Sequence, residues 1–404
     1  MIIRGDIMSN KTTKWINPEV LKNLRETLNL TREQVEEISK KLKRQYFEPV
    51  YAYQLAEWEE GKGEPELVHL ETLANIYHCP VGYFFLDKVP KEEIPISYRG
   101  LSQDKKLSYT SHSSLRRLYE LANFAADLIE RLGVPWEVKI KPGEIAPDYR
   151  LLDEIAKRKR DYFGWNEETR KKIGNNPEEA FKWWREKIES LGIFCFELKL
   201  ESNEVRGASL WLKSYPFILI NRRDMEASAG RLFTLIHEYV HLISEKEGVL
   251  CDFRGVKEGK NPEPFANKLV ARMLLTYEEL EQRLRSLGLF RYRDQWSDRE
   301  LDEIRSSFFV SRDVITIMLQ EMNLAPHDLY EQKLTEWERR KIFGRGGKRP
   351  TNKEQKVREL GYSFTKLLAQ LSNDPSFPVL DTSYILNMKV EKAKEFIKWL
   401  SEKG

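Results

Sequence analysis

Cysteine is scarce in this chain. Cys79, Cys195 and Cys251 are odd in number, far apart, and form no Cys-x-x-Cys pair, so neither a disulfide framework nor a cysteine-based zinc site is credible. Each reads most simply as a buried or half-buried thiol, although the position of Cys251 leaves a ligand or redox role conceivable. Long apolar runs are missing too. None approaches the length of a bilayer span, and Met1–Ile7 is too short for a secretion signal, so a cytoplasmic protein with no membrane partner is expected. Net charge is almost absent: 67 Lys+Arg against 64 Asp+Glu leave +3 over 404 residues. That balance argues for neither a nucleic-acid coat nor an acidic partner. No internal repeat is visible, and the length predicts two to four domains with room for a substantial core.

Histidine is also rare, with six residues in all, yet two stand four apart in Phe233-Thr-Leu-Ile-His237-Glu238-Tyr-Val-His241-Leu-Ile243. On a helix this spacing puts both imidazoles on one face, where they can hold one Zn²⁺ while the intervening glutamate reaches a water on the metal. Leu232, Leu235, Ile236, Val240 and Ile243 keep helix period and are expected to pack inward, with the histidines looking into a cleft. The bland alternative is two core or surface histidines at helical spacing by accident. The next stretch weighs against it.

A tetrahedral catalytic site needs a third protein ligand. After 21 intervening residues comes Glu263-Pro-Phe-Ala-Asn267-Lys-Leu-Val-Ala-Arg-Met-Leu, a helical run with Pro264 in its first turn and Asn267 one turn beyond Glu263. Glu263 is the candidate third ligand, and Asn267 a supporting amide for the imidazole N–H groups. Upstream, residues 204–221 read as two short strands joined by a turn. Such strands can supply an edge along which an extended peptide lies, which points to a polypeptide substrate.

Three blocks in order carry a resemblance: Pro216-x-Ile218-x-Ile220-Asn221, then Gly230-Arg231-x-Phe233-Thr234-Leu235-x-His237-Glu238-x-x-His241, then Glu263-x-x-Ala266-Asn267-x-Leu269-x-Ala271-x-x-Leu274-Leu275. Over about residues 180–290 the chain resembles the ImmA/IrrE family of metallo-endopeptidases. Two positions depart from it. Tyr239-Val240 stands where the family often has a small residue or glycine, and Thr276 where a proline is common. The resemblance implies a zinc peptidase that cleaves a transcriptional repressor, with His237, His241 and Glu263 as metal ligands and Glu238 as the catalytic base.

Toward the N-terminus, helix patterns begin at Asn17-Pro18 and at the Thr31/Gln34 capping box. A third helix from about Val50 and a fourth after Pro65 follow, then a closing segment Val81–Leu86. With Trp58-Glu59-x-Gly61-x-x-x-Pro65 between the third and fourth helices, residues 17–90 resemble the lambda-repressor-like, Xre-type (Cro/cI) helix-turn-helix. That implies double-stranded DNA as a partner, with the third helix in the major groove and Lys43, Arg44, Tyr51, Tyr53 and Gln54 as candidate contacts. Charge pulls the other way. Residues 1–90 hold 12 Lys+Arg and 14 Asp+Glu, a net of −2, whereas phosphate attraction supplies most non-specific affinity. A protein-docking module is the competing reading.

The expected fold class is therefore multidomain and mainly α, with a small α+β zincin-like domain between an N-terminal lambda-repressor-like bundle and C-terminal helical modules. Boundaries are expected at 1–90 (helix-turn-helix), 91–135 (linker and connecting helix), 136–290 (peptidase domain), 291–337 (a second helix-turn-helix-like segment) and 338–404 (basic linker and a last helical module). The apolar stripe Leu115–Leu132 suits a connecting or homodimer-forming helix, although an ordinary packed helix is the simpler reading. Trp183-Trp184 read as core or domain-contact anchors. Tyr215, Arg231 and Tyr277 are open candidates for a donor to the oxyanion. The alternative function is a DNA-binding regulator or antitoxin whose zincin fold senses a ligand or partner and cuts nothing.

Overall fold

The structure, a computed structural model, describes residues 16–42, 48–88, 96–97, 109–198, 206–222, 228–244, 248–251, 263–338, 352–372 and 374–403. Lys43 and Arg44 lie outside them. The chain forms two compact units, residues 1–93 with 107–116, and residues 94–106 with 117–404. Among the described residues no helix is long and apolar enough to cross a membrane.

The first unit is built from α1 (Pro18–Thr27), α2 (Arg32–Lys41), α3 (Ala52–Glu59), α4 (Leu67–Tyr77) and a 3-10 turn at Val81–Phe85. Asn17 starts α1 by accepting from Glu19 N (3.0 Å), and its own N–H reaches Phe84 O (2.7 Å), which ties the first helix to the last turn. Thr31 and Gln34 form the capping box at α2. The connection from α2 to α3 is long but clamped at its base: Val50 N donates to Ser39 Oγ (3.0 Å) and Ala52 N to Glu36 Oε2 (2.8 Å). Inside the bundle, Glu59 is fully buried between Arg25 (2.6 Å) and Arg32 (2.9 Å). One acidic charge of α3 is thereby consumed internally.

The division between the units falls within α5 (Tyr109–Leu132), whose residues from Arg117 onward belong to the second. The α5 stripe Leu115, Leu118, Leu121, Ala122, Ala125, Leu128 and Ile129 is buried, as in an ordinary packed helix. Then come α6 (Leu152–Phe163), α7 (Glu167–Ile173) and α8 (Pro177–Glu189). Trp184 is fully buried and Trp183 packs at the rim of the same core. The sheet runs β1-β5-β3-β4-β2, with β1 (Ile96–Ser97), β2 (Phe194–Leu198), β3 (Gly207–Leu212), β4 (Tyr215–Asn221) and β5 (Gly248–Cys251). β2 and β4 are parallel, whereas β3 is antiparallel to both β4 and β5. The β3–β4 turn, Lys213-Ser214, has φ of 49° and 69°, the left-handed pair that matches strand twist in a two-residue hairpin. Both sides of β3 and of β4 are paired. The open edge expected at this hairpin is therefore taken by β5 on one side and β2 on the other.

After β4 come α9 (Ser228–Ser244), α10 (Glu263–Leu274), α11 (Tyr277–Ser286), α12 (Asp298–Arg305), α13 (Arg312–Glu321) and α14 (Leu329–Glu338). Thr276, where a proline was noted as common, caps α11 through a box with Glu279. The chain ends with α15 (Asn352–Leu371), α16 (Val379–Ile385) and α17 (Val390–Lys403).

The last module is not a loose appendage, because α15 packs along β2, an outer strand of the sheet. It breaks at Gly361 (φ 82°, ψ 165°), and Glu189 at the end of α8 restarts it by accepting from Tyr362 N (3.2 Å) and Ser363 N (3.4 Å). Burial pushes the Glu189 carboxyl up to about 6, against the opposing pull of Arg185 and these N–H groups. The native state thus holds this proton more tightly than the unfolded chain, whose ordinary carboxylate value is 4.5. Its contribution to stability falls as pH rises from about 4.5 through 6, by up to about 2 kcal/mol. Subtracting the pH–stability curve of Glu189→Gln from that of the wild type should leave this falling slope between about pH 4.5 and 6; a flat difference would contradict the assignment.

Candidate metal centre

α9 lies in the middle of the second unit, in contact with α8, α10, β3, β4 and β5. A helix covered on all sides has to be apolar nearly all round, and Leu232, Leu235, Ile236, Tyr239, Val240, Leu242 and Ile243 are buried. Set among them are His237 (0% exposed), Glu238 (0%) and His241 (1%). The histidines expected at the wall of a cleft are instead buried, because α9 is enclosed by its neighbours. Burying three such groups on one helix is costly unless they are paired or bind an ion.

The two rings converge. His237 Nε2 and His241 Nε2 stand 2.9 Å apart, close to the roughly 3.3 Å between two nitrogens of a tetrahedral ion with bonds of about 2.0–2.1 Å. Phe233 stacks on His237 with centroids 6.1 Å apart. Asn267, one turn into α10, has its Oδ1 buried with no hydrogen-bond partner among the described residues. It is not joined to either ring, but an orphaned buried acceptor suits the ring N–H of a metal-bound histidine. Glu263 is the first residue of α10, the helix that packs on α9, and its side chain lies outside what the structure describes. Among the described residues no group of three or more His, Cys, Asp or Glu forms a metal-holding cluster. The buried, converging imidazole pair fits zinc as two of its ligands.

Two features that sequence reasoning missed set the helix in place. Gly207, the first residue of β3, approaches α9 so closely that a β-carbon there would overlap Glu238 Oε1 and stand 2.6 Å from Thr234 Cγ2. A lone glycine opening a strand pattern was the available signal. The second is a buried ionic cluster around Glu197 of β2, a charge in the middle of an apolar strand. Arg231 of α9 donates to it at 2.8 Å and also pairs with Glu178 of α8. Arg358 of α15 reaches the same two carboxylates at 3.1 and 2.7 Å. Arg231 thus fastens the start of α9 to α8 and β2, an occupation that removes it as an oxyanion donor. Tyr277 is engaged too, since its hydroxyl meets Glu321 Oε2 at 3.1 Å and its ring lies under Arg272.

On α3, Tyr51 and Tyr53 are exposed (40% and 64%) and stacked on one another. Gln54 spends its carbonyl oxygen on Tyr51 N (3.2 Å), which leaves its amide N–H₂ for other contacts.

A buried helix presenting two converging imidazoles and a carboxylate, beside a small mixed sheet, can hold a metal ion next to an acid–base group. Residues 188–320 match the family model of the M78 peptidases, described as the IrrE N-terminal-like domain, which supports a metallopeptidase of the ImmA/IrrE family in this part of the chain. The match runs from the end of α8 through most of α13, so it takes in both the metal helix and the helices after it. No curated protein and no solved structure matches the chain.

Proposed function

We propose that the chain is a zinc-dependent endopeptidase that cuts a repressor-type protein, either itself or a partner. The observation that carries this reading is the pair of buried Nε2 atoms, 2.9 Å apart, with Glu238 beside them on the same helix. His237, His241 and Glu263 would hold the ion and Asn267 would support it. Zinc, when bound, supplies Lewis-acid polarisation of the scissile carbonyl and lowers the pKa of a bound water towards neutrality. Glu238 takes a proton from the attacking water and returns it to the leaving amine. Its enclosure keeps bulk solvent from competing for that proton.

The first unit is proposed to be an Xre-type DNA-binding module reading through α3, with Tyr51, Tyr53 and Gln54 on that helix and its cap and Lys43 and Arg44 in the segment before it. Glu59 does not oppose this, because Arg25 and Arg32 neutralise it inside the bundle. The test incubates full-length protein, zinc-loaded or stripped by chelation, with the repressors encoded beside it, and reads fragments by mass spectrometry. New fragments appearing only with zinc are expected. Stoichiometric zinc without any cleavage would favour the non-proteolytic regulator.

A further inference from the structure

We propose that Gly207 is a positioning residue whose missing side chain sets where the Glu238 carboxylate stands; this rests on the peptidase reading above and names a second position on which that reaction depends. Gly207 cannot retreat, because as the first residue of β3 it is registered with Ile220 of β4 and with Cys251 of β5. Across from it lie two side chains of α9. A β-carbon at 207 would overlap Glu238 Oε1 and lie 3.0 Å from Glu238 Cδ and 2.6 Å from Thr234 Cγ2. Thr234 is β-branched and its hydroxyl donates to Gly230 O at 3.0 Å, so its rotamer is held. The methyl of Thr234 therefore has to be removed before a β-carbon fits, and in Gly207→Ala/Thr234→Ser the atoms left to give way are those at the end of the Glu238 side chain.

Restoring an ordinary contact requires the carboxylate to move by about 1 Å. The three atoms nearest to a β-carbon at 207 all belong to Glu238 and Thr234, and none to an imidazole. The expected consequence is selective: the ion stays, while the proton-transferring group is displaced. A misplacement of this size costs about 10²-fold in rate.

The test compares full-length Thr234→Ser with Gly207→Ala/Thr234→Ser in two ways. In crystal structures the Glu238 carboxylate should shift while the α9 backbone and the two Nε2 atoms stay. This readout does not require cleavage, so it stands or falls apart from the peptidase assignment. In solution, binding of acetohydroxamate, a small zinc chelator whose proton the carboxylate can take, is measured by calorimetry in a double-mutant cycle with Glu238→Ala. In the Thr234→Ser background, Gly207→Ala should weaken binding about tenfold when Glu238 is present and leave it unchanged when Glu238→Ala is added, the loss of one charge-assisted hydrogen bond. Zinc content should remain that of the wild type. An unmoved carboxylate, a shifted β3, or an equal loss in both backgrounds would overturn the proposal. If Gly207→Ala/Thr234→Ser does not fold, Gly207→Ala/Thr234→Ala against Thr234→Ala keeps the Glu238 contact open to the same comparison.

Discussion

Glu238→Gln is expected to leave the protein folded and loaded with zinc while slowing cleavage by about 10²–10⁴-fold, the usual worth of a positioned acid–base group. The substitution keeps the shape of a side chain whose two carboxyl oxygens are both shielded from solvent. It also removes a buried charge, so stability should hold or rise slightly. A histidine variant should behave otherwise: His241→Ala removes one of the two converging nitrogens and with it most of the bound metal. The two variants therefore separate chemistry from metal retention. Elemental analysis of zinc, a melting curve and the rate of repressor cleavage are needed on each. Should Glu238→Gln cut as fast as the wild type, Glu238 has no place in the reaction. Should it lose zinc, its role lies in holding the ion.

What could be read from sequence is what local periodicity carries. The 3.6-residue pattern around His237 and His241 located α9, the capping box at Thr31 marks a helix start in the structure, and alternation found the β3–β4 hairpin. Burial of the site was not legible, because it depends on five neighbouring elements brought from elsewhere in the chain. β1 and β5 were missed because strands of two and four residues give too little alternation to detect. Their absence from the reading is why β3 looked like an edge. Gly207 and Glu197 each broke a local pattern, but the reason for the break lay on another element. The C-terminal module carried no motif for the same reason: Arg358 finds its partner Glu197 161 positions away.

That distant anchoring makes Gly361→Ala the structural change with the largest expected effect. At φ 82° and ψ 165° the residue occupies backbone space that is essentially reserved for glycine, so any side chain there costs about 1–3 kcal/mol in strain. Space is lacking as well. A β-carbon would overlap Glu189 Oε1 and lie 2.5 Å from Cys195 O and 2.9 Å from Arg185 Nη2. The Cys195 oxygen belongs to the backbone of β2 and cannot step aside, unlike the end of a flexible side chain. Relief therefore requires α15 to lift from β2, which pulls Tyr362 N and Ser363 N from Glu189 and withdraws Arg358 from Glu197 and Glu178. Arg358 is partly exposed and Glu197 keeps Arg231, so losing these pairs adds only about 1 kcal/mol, and total destabilisation should still exceed that of backbone strain alone. Gly288→Ala is the matched control, since Gly288 has φ 70° but nothing within 4 Å of its β-carbon position. Denaturation midpoints should fall several-fold further for Gly361→Ala. Hydrogen exchange should quicken in residues 194–198 and 362–371 of that variant and stay slow in the control. Equal losses in the two variants would mean that α15 is held to the sheet by something other than the contact at Gly361.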